Sequence, residues 1–395
     1  MGTSYSFPGF PQAAIALTDK VSAYYTGTLA EGAGTTIPIG SISGTSLSVL
    51  QGGATGGRAL TYRIGGKNTD ATFAGTISEQ NTATATTYIK TGTGTWTLSG
   101  SGAWNGGTNV EQGTLRLSGT FTSAAATQVF PGAALKIEGG NLTTDATNIA
   151  GGAFFYGYGK VASDFISDGT TDGRGFVTGT PGTLTVQGSM FLGGTSLTRL
   201  RGGASSDLVA VTGDLALGGT LQVSLAPGSG FGRYPLFTYG GTLSGTATLA
   251  ENPDGPAAHL STAVTGRVDL VIDDTDEDGL PDSWEVSNFG NLTQGPADDP
   301  DGDGQNNSAE LLAGTLPNSG ASRFAATITP LNASQFLLTW PSIPGNSYQI
   351  QSTGSFSLGW DLLATVPAAD SPATTTSHTV TAGPSTQFYR IVLQP

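Results

Sequence analysis

Short runs that alternate an apolar residue with a small or polar one, separated by glycine-rich turns, fill the first 270 residues with no helical segment between them. Examples are Thr95-Trp96-Thr97-Leu98-Ser99, Thr114-Leu115-Arg116-Leu117-Ser118, Ala134-Leu135-Lys136-Ile137-Glu138 and Thr183-Leu184-Thr185-Val186-Gln187. Further on come Asp207-Leu208-Val209-Ala210-Val211, Leu221-Gln222-Val223-Ser224-Leu225 and Val268-Asp269-Leu270-Val271-Ile272. A period of two is the mark of a half-buried strand. Glycine supplies 61 of 395 residues and threonine is abundant, a composition that disfavours helix and suits short strands and tight turns. So few hairpin turns separate consecutive runs that a β-sandwich fits them less well than a solenoid. They fit the coils of a solenoid, each burying its inward residues on the next. A β-sandwich is the alternative.

One stretch carries a resemblance. Lys90-Thr91-Gly92-Thr93-Gly94-Thr95-Trp96-Thr97-Leu98-Ser99-Gly100 is followed by a turn at 104–107 and by Val110-Glu111-Gln112-Gly113-Thr114-Leu115-Arg116-Leu117-Ser118-Gly119. This resembles an autotransporter-associated β-strand repeat, a KTGxGTLTLSG segment, a turn and a VxxGTLxLxG segment. The likeness extends over about residues 60–270. It implies a right-handed parallel β-helix displayed outside the cell. Residues 323–395 depart from the family pattern, because no membrane-barrel translocator is legible in them.

Residues 271–322 change character. Lys and Arg vanish between Arg267 and Arg323, while acidic residues crowd from Asp273 to Glu310. Asp274, Asp276, Asp278, Leu280, Asp282 and Glu285 occupy positions one, three, five, seven, nine and twelve of a D-x-[DN]-x-[DN]-G-x5-E loop, with Gly279 at the bend. Asp299, Asp301, Asp303, Gln305, Asn307 and Glu310 repeat that spacing around Gly304. Calcium needs six to eight oxygens, and such a loop turns side-chain carboxylates, a position-seven carbonyl and a closing bidentate Glu to one centre. Two calcium ions are expected, since so many carboxylates packed without a cation repel one another. The alternative is a disordered acidic linker. Each loop leads into a short helix, 281–289 stopped by Gly290 and 307–313 stopped by Gly314. Trp284, Phe289 and Leu311 are the expected core between the halves. The loop-then-helix pair resembles a dockerin or thrombospondin type-3 segment. That likeness implies a docking role, ranked below a structural staple.

Residues 323–395 return to strands. Phe336-Leu337-Leu338-Thr339-Trp340 and Ser347-Tyr348-Gln349-Ile350-Gln351 read as neighbours joined by a turn at 341–346, with Trp360, Leu362 and Leu363 adding core. Size and pattern fit a small β-sandwich, loosely resembling the fibronectin-III-like modules of secreted bacterial proteins.

Composition excludes several chemistries. The chain has no Cys, so it has neither disulfides nor thiolate sites. A net charge of -14 makes nucleic acid a poor partner. No apolar run is long enough for a transmembrane helix, and no export signal is legible at Met1. His259 and His378 build no catalytic motif and read as isolated surface residues. Asp164, Asp168, Asp172 and Arg174, with Arg63, Lys67 and Asp70, are the candidates for polysaccharide chemistry, though Asp168-Gly169 and Asp172-Gly173 read better as turns. Phe154, Phe155, Tyr156 and Tyr158 suit a sugar-stacking platform or, preferably, an aromatic cap on the solenoid.

The expectation is an all-β chain: a right-handed parallel β-helix over 1–270, a small calcium-loop segment with two short helices over 271–322, and a C-terminal β-sandwich over 323–395. The expected role is that of a secreted or cell-surface structural or adhesive protein, partnered by a surface polysaccharide or another extracellular protein. The alternatives are a carbohydrate-active β-helix protein and a self-associating filament subunit, whose exposed edge is sought in residues 1–30.

Overall fold

A computed structural model describes residues 4–5, 10–17, 22–23, 35–52, 59–79, 85–173, 181–203, 205–226, 229–250, 258–343, 345–370, 374–381, 383 and 386–394. The chain divides into two compact units, Met1–Ile272 and Asp273–Pro395.

The first unit is a solenoid of parallel strands. Its strands stack in three rows, one strand per row in each coil, and in-register residues can be followed from coil to coil. In one row Ile77, Gly102, Phe121, Leu142, Val161, Val186 and Val211 lie in line. In another, Trp96, Leu115, Leu135 and Phe155 do so, all inward and nearly inaccessible. Period-two alternation therefore buries every second residue on the coil above and the coil below, and the core runs the length of the unit. Gly102 shows why glycine is needed inside a strand. A Cβ there would sit 2.6 Å from that of Ile77. The strands expected near 95, 114, 134, 183, 208, 221 and 268 are all present.

The motif Lys-Thr-Gly is one corner of this solenoid. Lys90 is buried at the end of strand Thr86–Lys90, and its ammonium donates to the carbonyls of Thr91 and Gly92 at 2.7 Å each and of Gln112 at 3.0 Å. Gly92 and Gly113 both turn with positive φ, and a Cβ on Gly113 would lie 2.8 Å from the Lys90 nitrogen. Lysine and the two glycines thus form a single device that ties one coil to the next. Burial pushes the Lys90 ammonium down to about 8, against the pull of Asp70.

The last coil differs from expectation. Arg267–Ile272 is not a further parallel rung. It runs antiparallel to Gly232–Tyr239 and to Ala258–Ser261. Asp269 is fully buried there and accepts from Arg267 at 2.8 and 3.0 Å and from Arg233 at 3.5 Å. An antiparallel strand covers an edge that a parallel rung would leave open. Most of the segment 1–30, where a complementary edge was sought, lies outside the described residues.

The second unit begins with the acidic segment, whose helices are α1 (Asp282–Phe289) and α2 (Asn307–Ala313). Both end on a left-handed glycine, Gly290 and Gly314. Trp284 and Phe289 meet edge to face at 5.7 Å, but Trp284, Phe289 and Leu311 are only half-buried, whereas Leu280 and Ala313 are buried. The C-terminal strands form two antiparallel three-stranded sheets. Gln335–Pro341 and Ser347–Thr353 prove not to be neighbours. The first pairs with Thr327–Pro330 and Thr375–Thr381, the second with Asp361–Pro367 and Phe388–Gln394. The connection crosses between sheets, so Trp340 packs edge-on against Tyr348 at 5.8 Å from the facing layer. Leu362 and Leu363 lie on an outer strand and are half or more exposed, so they add nothing to the core. Trp360 instead takes the guanidinium of Arg390 over its ring at 4.5 Å.

Candidate metal centre

Both loops close on the same backbone scaffold. The Asp282 amide donates to the Asp273 carbonyl at 2.9 Å, and 25 residues on, the Asn307 amide donates to the Asp298 carbonyl at 2.8 Å. The Leu280 amide donates to the Asp278 carboxylate at 2.8 Å, as the Gln305 amide does to Asp303 at 2.9 Å. Gly279 and Gly304 supply the bend with φ of 95° and 93°. The two segments are structural copies, as the spacing of their acidic residues implies.

The carboxylates converge. Asp274, Asp276 and Asp282 each offer an oxygen within 4.8 Å of the others, as do Asp276, Asp278 and Glu285, and Asp299, Asp301 and Asp303. Several of these oxygens are buried and lack any hydrogen-bond partner: Asp274 Oδ1, both Glu285 oxygens, Asp301 Oδ2, Asp303 Oδ2, Asn307 Oδ1 and Glu310 Oε2. Asn307 is turned by its own amide, whose Nδ2 donates to Gly295 at 2.9 Å and leaves the oxygen for the loop. Glu310 Oε1 accepts from Thr315 at 3.3 Å. Burial, then the charges of Asp278, Asp276, Asp282 and Asp274, push the Glu285 carboxyl up to about 7. Burial likewise raises Asp274, with Asp278 and Asp276 adding to it, and raises Glu310, with Asp301, Asp303 and Asp299 adding to it. A carboxylate in such surroundings lacks a positive charge. The donor set, all oxygen with one amide, suits a hard divalent cation.

Two acids outside the expected ligands hold the loops in place. Asp273 ties the loop to the first turn of α1, accepting from the Ser283 amide at 3.2 Å and its hydroxyl at 2.6 Å. Asp298 accepts from the Gly295 amide at 2.8 Å. Their signal in the sequence is position: each stands one residue before a loop's first expected ligand. Gln305 carries a further contact, because its side-chain amide accepts from the Phe324 amide at 3.0 Å and donates to the Phe324 carbonyl at 3.2 Å. Phe324 stacks on Tyr348 at the core of the sandwich.

The candidates for polysaccharide chemistry fare differently. Asp164 accepts from the Ser189 amide at 2.7 Å and Asp70 from the Thr95 amide at 2.7 Å, each pinning the next coil. Arg63 pairs with Glu111 at 2.5 Å. Asp168 stands in the bend after strand Phe154–Ser167, whereas Asp172 ends strand Thr170–Asp172 and is buried. Lys67 is exposed on a turn, and Arg174 lies outside the described residues. His259 and His378 are half-buried on strands, not on open surface. The aromatic run does not cap the solenoid: Phe154–Ser167 pairs with coils on both sides. Phe155 points inward, while Phe154 and Tyr156 stack outside at 5.7 Å and Tyr158 is 40% exposed.

Residues 89–117, which hold the corner at Lys90, match the Passenger-associated-transport-repeat model. The chain is a passenger-like repeat protein, which places it among secreted or cell-surface proteins. A curated relative, Adhesin BmaC autotransporter of Brucella suis biovar 1 (strain 1330), is 27% identical over 282 residues, covering 55% of this chain. The match spans 8% of that adhesin's length. Among the described residues, no helix is long and apolar enough to cross a membrane.

Proposed function

We propose that this chain is a calcium-stabilised extracellular protein of structural and adhesive function, in which the solenoid presents the binding surface and two calcium ions order the start of the second unit. The observation that carries the calcium reading is the set of buried, unpartnered oxygens in two loops of identical design, above all both oxygens of Glu285. Asp274, Asp276, Asp278, Asp282 and Glu285, with the Leu280 carbonyl, would hold one ion. Asp299, Asp301, Asp303, Asn307 and Glu310, with the Gln305 carbonyl, would hold the other. Bound calcium neutralises the repulsion among these groups and fixes the loop that grips Phe324, so the sandwich follows the segment. External calcium is abundant enough to fill sites of this class.

The adhesive reading rests on the passenger-type repeat and on the likeness to an adhesin. The loop-then-helix pair and the antiparallel sandwich suit dockerin- or thrombospondin-like and fibronectin-III-like modules, whose work is spacing and attachment. Beads coated with the full chain are expected to adhere to cultured epithelial cells in calcium and to be displaced by the soluble chain. Adherence no greater than that of albumin-coated beads would refute the adhesive role.

A further inference from the structure

On the outer side of one solenoid face lies a groove of about 520 Å3 lined by Asp70, threonines, Arg116, Lys136 and Tyr156. Its outward residues form a single row, because Thr72, Thr97, Arg116, Lys136 and Tyr156 are in register, one per coil. Adjacent strands lie ~4.8 Å apart, so the row runs roughly 19 Å. Thr72, Thr95, Thr97 and Thr114 set hydroxyls along it, each both a donor and an acceptor. Towards the other end Glu138 holds both cations: it accepts from Arg116 Nε at 2.6 Å and pairs with Lys136. Burial alone would raise the Glu138 carboxyl, but its bonds to Lys136 and Arg116 outweigh that and hold it low. Glu138 engages Nε and Nη2 of the five-donor Arg116 guanidinium. Beside them stand the stacked rings of Phe154 and Tyr156.

We propose that this groove binds an extended acidic glycan, a carbohydrate strand bearing carboxylates. Arg116 and Lys136 take the carboxylates by charge-assisted hydrogen bonds, the threonine row takes sugar hydroxyls, and the Phe154–Tyr156 pair takes the apolar face of a sugar ring. A linear, hydroxyl-lined groove with two cations and an aromatic pair towards one end is the complement of such a polymer. A peptide strand would need an unpaired sheet edge, and this row is interior to the sheet, paired on both sides. Nucleic acid would need a cluster of many Lys and Arg along the groove, where this one has two. The proposal rests on the adhesive reading and gives it a ligand class.

The test is calorimetric titration of the full chain, in calcium, with short hyaluronate oligomers and with the same oligomers after reduction of their carboxyl groups. Hyaluronate is expected to bind, and the reduced oligomers to bind at least about tenfold more weakly. Lys136→Gln, which leaves the Arg116–Glu138 pair in place, and Arg116→Gln are each expected to weaken binding about tenfold with an unchanged melting profile of the solenoid. Lys160→Gln, on another row, is expected to change nothing. Equal binding of the two oligomers, no binding of hyaluronate, or full binding by Lys136→Gln would overturn the proposal. Beads that still adhere to cells after such a failure would leave the adhesive reading standing. Beads that do not adhere although hyaluronate binds would remove that reading and keep the groove.

Discussion

The solenoid and the acidic segment both bury charge, and they treat it in opposite ways. In the solenoid three buried charges among the described residues are matched from within. Lys90 meets three carbonyls, Asp207 meets the amides of Gly182 and Arg201 at 3.0 and 2.8 Å, and Asp269 meets two arginines. In the acidic segment Glu285 is just as buried and meets nothing, and Glu310 and Asn307 each keep an oxygen without a partner. The charge balance divides the same way, with 2 Lys and Arg against 14 Asp and Glu in residues 273–395, and near balance before them. A charge matched by backbone makes a fold self-sufficient. A charge left unmatched makes it conditional on something from outside.

The comparison can be broken from either side. The larger effect is expected in the solenoid. Lys90→Met leaves three carbonyls without their donor and should cost about 3 kcal/mol. Chemical denaturation in calcium and in EGTA should give the same loss, because no cation is involved. A loss that depended on EGTA would blur the division. The smaller effect, and the sharper one, is a change of sign in the acidic segment. Glu285→Gln removes a repelled charge and a ligand together. In EGTA it is expected to stabilise the second unit by about 1 kcal/mol. In saturating calcium it is expected to destabilise it by about 2 kcal/mol. Destabilisation of equal size in both buffers would mean that Glu285 serves packing alone.

Much of this was legible in the sequence, for reasons that differ by region. Period-two runs such as 95–99 and 114–118 announced their strands because each coil repeats the same inside-outside demand. The backbone of the two loops was legible because acidic residues recur at one spacing around Gly279 and Gly304, and Gly290 and Gly314 were legible because left-handed helix ends favour glycine. What sequence hid was mostly long-range. The coils between Thr72, Thr97, Arg116, Lys136 and Tyr156 advance 25, 19, 20 and 20 residues, so the row that builds the groove has no fixed period to find. The crossing between the two C-terminal sheets was hidden as well, because a turn that closes a hairpin and a loop that changes layers share the same residues. Lys90 stood inside a recognised motif, yet its tie to the next coil depended on a single carbonyl 22 residues away, at Gln112.

The central claim is that the acidic segment needs a cation that the solenoid does not. Calorimetric unfolding of the full chain in calcium, in EGTA, and in EGTA with calcium or magnesium restored tests it directly. Two transitions are expected. One should fall by about 10 °C or more on chelation and return with calcium but not with equal magnesium, while the other stays in place. Transitions that ignore EGTA, in a protein whose metal content shows no calcium, would contradict the account.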